Sequence, residues 1–441
     1  MTEWPDPESQ SRKLYERGSK VFAGGITRIQ PWQEPFPVYA ARGEGPYVID
    51  VDGTRRVDLL NNFASLIHGH AHPAIVEAVR DRIGLGTAFT MPTESEIQLA
   101  ELLCERVSGF EWVRFSNSGS EAVMSAVKAA RALTGRSKIV KMEGAYHGSY
   151  DYVEVSLDSS PTNWGNEPAS VPYAKGTPKG VTDDVIVIPF NDPEAADRII
   201  REHGPSLAAV LIDATPTYMG MTPITQPFIK AVQTATRAVG ALLILDEVIS
   251  FRLHEGGAQT LFGIEPDLTT LAKIIGGGFP VGAVAGRREV MKVFDHRQGR
   301  PALPWSGTFS ANPVSMTAGR VSMELLTPAV FARLNALGDL ARRRIDETFA
   351  AVGVEGHASG VGSMFNLHLT RQPIEDYRSA WRTPAQAKAM FALQTRLVKE
   401  GYVISTKGMG FLSTVMDEAI VEGFAQALGR ALRAGALDLV A

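Results

Sequence analysis

The spacing of apolar positions divides the chain into three stretches. Between residues 36 and 60, short apolar runs alternate with turn signals at Arg42-Gly43-Glu44-Gly45 and Asp52-Gly53, a pattern that predicts small hairpins. From about residue 70 the period lengthens. Ile75–Ile83, Glu94–Val107 and Glu121–Leu133 carry apolar residues at helical spacing, and β-rich runs follow at Ile139–Met142, Val185–Pro189, Ala208–Ile212 and Leu242–Leu245. Helices alternating with short β-rich runs predict an α/β domain around a mainly parallel sheet. From about residue 326, long amphipathic helices (Val330–Ala351, Pro384–Glu400, Asp417–Ala434) flank short strands near Met364–Leu369 and Tyr402–Ile404. The expected organisation is a large α/β domain over residues 66–325 and a smaller α+β domain over 326–441. The hairpin segment 1–65 is expected to join the smaller one.

Composition narrows the classes. A chain of 441 residues with 44% hydrophobic and 21% charged residues can build a sizeable core. The formal charge of −4 lacks the basic footprint of a nucleic-acid binder. Cys104 is the single cysteine, which excludes an intrachain disulfide and fits a reducing, cytoplasmic compartment. Residues 1–10 are polar and lack a signal-peptide apolar region, and no uninterrupted apolar run reaches the roughly 18 residues a membrane span needs. A membrane partner is therefore not expected, and no metal site is predicted.

Five segments carry candidate chemistry. The strand Leu242–Leu245 ends abruptly in Asp246-Glu247, and ligands of open α/β sheets gather at the carboxyl ends of strands. Lys273 follows 27 residues later, in an apolar run ending in Gly276-Gly277-Gly278. Burial lowers the pKa of a lysine, as a Schiff-base nucleophile needs, and glycines admit close approach of backbone to a cofactor. Ser118-Gly119-Ser120 opens a predicted helix, where free N–H groups and hydroxyls suit a phosphate, and Ser118 with Glu121 fits a capping box. Tyr146-His147 follows a strand, where an aromatic ring can lie flat on another ring. The fifth segment, Ser306 to Pro313, reads as a polar loop before a helix. Taken singly, each has a plain structural reading: a cap, a surface lysine, a loop.

Taken together and in this order, the five segments resemble the class III aminotransferases, within the fold-type I enzymes that use pyridoxal 5′-phosphate (PLP). The similarity runs from about Gly24 to Gly319 and more weakly beyond. The resemblance implies a seven-stranded-type sheet, with Lys273 as the Schiff-base lysine and proton carrier. It also implies that Asp246 faces the pyridine nitrogen, with Val248 on one ring face and Tyr146 on the other. Ser118, Gly119, Ser120 and His147 would contribute to cofactor binding. Thr308 would reach the phosphate of the neighbouring subunit, which implies a homodimer with a shared active site.

Within the family, Gly24-Gly25-Ile26-Thr27-Arg28, Ala41 to Gly45 and Asp246 to Leu253 look most similar to glutamate-1-semialdehyde 2,1-aminomutases and β-amino-acid aminotransferases. Arg28 matches the arginine that binds substrate carboxylate in those relatives. Two departures stand out. Asp213-Ala214-Thr215-Pro216 replaces the common Glu-Pro, and Lys407 lies where β-amino-acid relatives carry an arginine for the acceptor. The expected reaction is ping-pong transfer of an amino group from a carboxylated amine, chiefly a β-amino acid, to a 2-oxo acid. The alternatives are a 2,1-aminomutase, an amine:pyruvate aminotransferase, or a PLP fold retained for binding alone.

Overall fold

The computed structural model describes residues 4–30, 32–297 and 299–435. The chain divides into two compact units. The larger comprises Ala74–Phe331 together with Pro373–Trp381; the smaller takes residues up to Pro73, Ala332–Gln372 and those from Arg382 on.

Seven strands form the sheet of the larger unit. They are β4 (Trp112–Ser116), β5 (Lys138–Met142), β6 (Val185–Ile188), β7 (Leu207–Asp213), β8 (Leu242–Asp246), β9 (Leu268–Ala272) and β10 (Gly282–Gly286), in the spatial order β4-β10-β9-β8-β7-β5-β6. The pairings from β9 through β6 are parallel, and β10 runs antiparallel to both its neighbours. The sheet is therefore mixed. β7, β9 and β10 are buried along their whole length, as strands covered on both faces are, but only β7 reads as a continuous apolar run. The helix Gly119–Thr134 buries its Ala122, Val123, Ala126, Val127 and Ala130 side, the face its apolar period marks.

The smaller unit holds the hairpins. Strands β1 (Ala40–Glu44), β2 (Tyr47–Asp50) and β3 (Arg55–Asp58) pair antiparallel in succession, and β13 (Tyr402–Val403) adds in parallel to β3. β11 (His357–Ser359), β12 (Met364–His368) and β14 (Met409–Phe411) make a second, antiparallel sheet. Directly after β3 comes an outlier. Asn61, Asn62, Phe63 and Ala64 have φ of 48°, 48°, 56° and 71°, four consecutive non-glycine residues in the left-handed region. Each residue there costs roughly 1–2 kcal/mol relative to the right-handed form. Among the described residues no helix is long and apolar enough to cross a membrane.

Candidate active site

Parallel register aligns the candidate groups at the carboxyl ends of three adjacent strands. Asp213 on β7 pairs with Asp246 on β8, which pairs in turn with Thr270 on β9, and Lys273 follows β9 directly. Residues paired this way project from the same face of a sheet. Asp246 is held from two sides. Its Oδ1 accepts the Val248 N–H at 3.0 Å, and its Oδ2 lies 2.8 Å from Nδ1 of the buried His147. Burial lowers the His147 pKa more than Asp246 raises it, so the imidazole is neutral and donates through Nδ1–H. Its Nε2 has no partner among the described residues.

Glu247 has a different job. It is fully buried, its Oε2 accepts the Ala258 N–H at 2.6 Å, and its Oε1 accepts the Gln259 N–H and the Gln259 side-chain amide, each at 2.9 Å. Of the two strand-end carboxylates, only Asp246 lies in the row with Asp213 and Thr270.

Lys273 is half-buried and adopts φ 52°, an unusual conformation for a side chain this long. Desolvation pulls its pKa to about 8, against the attraction of Asp246 and Asp213. Asp213 moves the other way. Burial, with Asp246 beside it, drives its carboxyl well above the usual range, so it stays protonated near neutrality. Sequence reasoning noted Asp213 only as a departure from the family; its register with Asp246 was the missing signal.

Of the three glycines after Lys273, Gly277 is required by packing within the chain. Gly277 has φ 59°, and a Cβ there would come within 2.3 Å of the Ala318 carbonyl oxygen. A Cβ on Gly319 would come within 2.0 Å of the Ile275 carbonyl oxygen. These glycines let the turn Lys273–Gly276 lie directly on the helix Pro313–Glu324. Gly119 packs closely on Val248, since a Cβ there would approach its side chain to 3.1 Å.

At the start of the helix Gly119–Thr134, Ser118 is the N-cap and accepts the Glu121 N–H at 3.2 Å. The predicted capping box is only half formed. The Glu121 carboxylate accepts the Asn117 N–H at 2.6 Å instead of reaching Ser118. Ser120 Oγ accepts the Ser149 N–H at 2.9 Å. Both hydroxyls thus receive an N–H through a lone pair and keep their own O–H for donation. The N–H groups of Gly119 and Ser120 lie in the first turn, where no intrahelical acceptor exists. Tyr146 is 38% exposed, enough to offer its ring to a ligand, and Tyr218 packs beside it with centroids 6.1 Å apart.

The other three predicted residues are all exposed. Thr308 is exposed, in the loop before the helix Pro313–Glu324. Arg28 and Lys407 belong to the smaller unit, both exposed. Arg28 donates from Nη1 to Asn62 Oδ1 at 2.9 Å and lies 5.3 Å from the centroid of the Phe63 ring. Sequence reasoning did not single out Asn62 and Phe63; the asparagine pair favours left-handed backbone, but Phe63 and Ala64 after it do not. The Lys407 carbonyl accepts from Arg382 at 2.9 Å.

The donor set of the larger unit fits PLP. An amine with a depressed pKa suits an aldehyde, an oriented carboxylate suits a protonated ring nitrogen, and a helix N-terminus with two free hydroxyls suits a phosphate. The Thr270 hydroxyl, in the row of strand ends, and the Thr215 hydroxyl, just after β7, are buried without a partner among the described residues and leave further polar capacity there.

Comparison with known proteins agrees. The class III aminotransferase family matches residues 28–422. A glutamate-1-semialdehyde 2,1-aminomutase of Thermomicrobium roseum is 40% identical over 388 residues, covering 86% of this chain and 88% of its own. An omega-transaminase from Sphaerobacter thermophilus has a solved structure with 47% identity and a TM-score of 0.95, covering 99% of both chains. A β-phenylalanine aminotransferase from Variovorax paradoxus shares 33% identity with a TM-score of 0.86, covering 97% of this chain and 94% of its own. Family match, seven-stranded mixed sheet and donor set converge: the chain belongs to the class III aminotransferases, PLP-dependent enzymes of fold type I.

Proposed function

We propose that this enzyme is a transaminase that takes the amino group of a carboxylated amine, chiefly a β-amino acid, and passes it to a 2-oxo acid by a ping-pong mechanism. The observation that carries the substrate class is Arg28. Its guanidinium is exposed, its one described hydrogen bond goes to Asn62, and the rest of its planar fork has no partner among the described residues. Such a fork binds a carboxylate through two parallel hydrogen bonds. The 47% identity to an omega-transaminase and the likeness to a β-phenylalanine aminotransferase favour this reading.

Bound PLP supplies an aldehyde that takes up the amino group and a ring that draws electrons from the neighbouring carbon. The protein does the rest. Lys273, with a pKa near 8, is the base that lifts the proton from that carbon and returns it. Asp246, oriented by Val248 N–H and by neutral His147, faces the ring nitrogen. Tyr146 and Val248 cover the two ring faces, and Ser118, Gly119 and Ser120 hold the phosphate. Thr308 completes the phosphate site of a second copy, which makes the working unit a cytoplasmic homodimer. Lys407 offers a point charge to the acceptor, so 2-oxoglutarate fits less tightly than it would an arginine.

A second reading is favoured by the 40% identity to an aminomutase: transfer of the amino group within one molecule, without an external acceptor. The two separate in one titration. The holoenzyme is expected to show a visible band at roughly 400–430 nm from lysine-bound cofactor, absent in Lys273→Ala. β-Phenylalanine should discharge that band and 2-oxoglutarate or pyruvate restore it. Turnover of glutamate-1-semialdehyde with no oxo acid added, and no response to β-phenylalanine, would establish the second reading instead.

A further inference from the structure

The left-handed turn Asn61–Ala64 is anchored from one side only. Asp58, 8% exposed, accepts the Leu60 and Asn61 N–H groups on Oδ1 at 3.0 and 2.9 Å, while its Oδ2 meets His70 Nε2 at 2.8 Å. The fully buried Asn61 donates from Nδ2 to the Phe411 carbonyl at 2.7 Å. Phe411 N–H returns to the Leu59 carbonyl at 2.6 Å, and the Ala64 and Leu66 N–H groups close on Leu60 and Asn61 at 3.1 Å. Strained backbone persists where its surroundings over-determine it, and here Asp58, Asn61 and Phe411 do so.

The middle of the turn takes no part in the bonds to Asp58 and Phe411; it closes locally on Ser65, whose Oγ donates to the Asn62 carbonyl at 3.0 Å. The Asn62 side chain faces solvent, with Oδ1 on Arg28 and Nδ2 on Ser65 Oγ at 3.1 Å. Phe63 is half-buried and carries the Arg28 guanidinium near its ring. A right-handed turn on the same anchors would project these two side chains in other directions. The fold thus sustains a strained turn whose two central side chains share one partner.

We propose that the turn Asn61–Ala64 is a positioning device for Arg28, with Asn62 fixing one edge of the guanidinium and Phe63 its plane, so that the free edge meets a planar carboxylate. The inference rests on Arg28 being the carboxylate-binding residue. Asn62 and Phe63 are then specificity-determining for carboxylated substrates, without touching the bond that reacts. A neutral hydrogen bond from the edge and a ring against the face restrict a side chain that otherwise samples many rotamers, and they leave its charge intact.

The test uses the holoenzyme and two readouts: binding of 3-phenylpropionate, an unreactive carboxylate, and KM against kcat for β-phenylalanine. Asn62→Gly removes the contact while keeping a residue for which left-handed backbone carries no steric cost. Phe63→Leu removes the ring. Asn62→Gly is expected to weaken 3-phenylpropionate by about tenfold, the size of one lost hydrogen bond to a charged group, and Phe63→Leu by about threefold, the size of an exposed cation–ring contact; each should raise KM with kcat unchanged. Combined with Arg28→Met, neither should add a further loss, because the group they position is gone. Melting temperature and circular dichroism of Asn62→Gly should match wild type. If Arg28→Met weakens the carboxylate but Asn62→Gly and Phe63→Leu do not, the positioning role is overturned while the carboxylate reading stands. If Arg28→Met itself leaves carboxylate binding unchanged, both fall.

Discussion

Two lysines of the larger unit have pKa values pulled far below 10.5, and only one is placed to act on a substrate. Lys141 is fully buried, near 7, and its Nζ donates to the Met142 and Val155 carbonyls at 3.0 and 2.8 Å. Lys273, near 8, has no such partner among the described residues and stands beside Asp246 and Asp213. Depressed pKa alone does not mark a catalytic lysine; a depressed pKa with an uncommitted amine does. The shift also has a thermodynamic consequence. Folding disfavours the charged form of Lys273, so the penalty is present in full below pH 8, fades between 8 and 10.5, and vanishes above. From 10.5 to 8 is 2.5 units, a ceiling of about 3 kcal/mol at 1.36 kcal/mol per unit. Cofactor-free Lys273→Met should therefore be more stable than cofactor-free wild type at pH 7 in urea unfolding, with the gap closing towards pH 10.5. A gap that does not change with pH would mean the side chain's packing, not its charge, sets the difference.

At the scale of elements, the turn Lys273–Gly276 and the helix Pro313–Glu324 act as one piece, because Gly277 and Gly319 let their backbones touch. Gly319→Ala puts a methyl group against the Ile275 carbonyl and should push the turn off the helix. The expected cost is about 1–3 kcal/mol, typical of overpacking, together with weaker PLP binding in a fluorescence titration. Unchanged affinity with lowered stability would show that Lys273 rides free of the helix. The same elements mark the limit of what the chain reveals by pattern. β5 to β8 were legible as short β-rich runs, apolar throughout in β6 and interrupted by Lys141 in β5, and the long helices by their period. β4 was not, because Arg114 and Ser116 interrupt it; nor was β9, where Thr269 and Thr270 lead straight into Lys273. β10 is Gly-Ala-Val-Ala-Gly, whose small residues fit a crowded sheet interior but read as loop. In the site, Asp246 and Lys273 were legible from strand end and spacing. The inward turn of Glu247 and the left-handed Asn61–Ala64 were not. The second depends on a bond from Asn61 to Phe411, 350 residues away, and no local propensity encodes it.

At the scale of the whole molecule, the larger unit leaves a series of large apolar side chains exposed. From Ile83 to Ile97 the chain leaves Ile83, Leu85, Phe89, Met91 and Ile97 between 48% and 78% exposed, and Phe309, next to Thr308, is 60% exposed. Burying side chains of this size stabilises association by roughly 1.5–3 kcal/mol each when complete, and a second copy of the chain is the occupant the shared-site reading calls for. Charge substitution at Met91, 78% exposed and so remote from this chain's own core, should lower the dimer fraction in sedimentation without lowering the melting temperature of the remaining monomer. Dimerisation alone does not say whether Thr308 serves its own site or its partner's, and a hybrid separates the two. If Thr308 acts across the interface, a mixed dimer of Lys273→Ala and Thr308→Ala has one site lacking both groups and one with both intact. At limiting PLP it should then exceed either parent dimer in activity, approaching half the wild-type value. If Thr308 acts within its own chain, the mixed dimer holds one dead and one impaired site and falls between its parents. The comparison needs no knowledge of the natural substrate, because both outcomes are ratios measured on one donor, and it reads directly whether the active site is the property of one chain or of two.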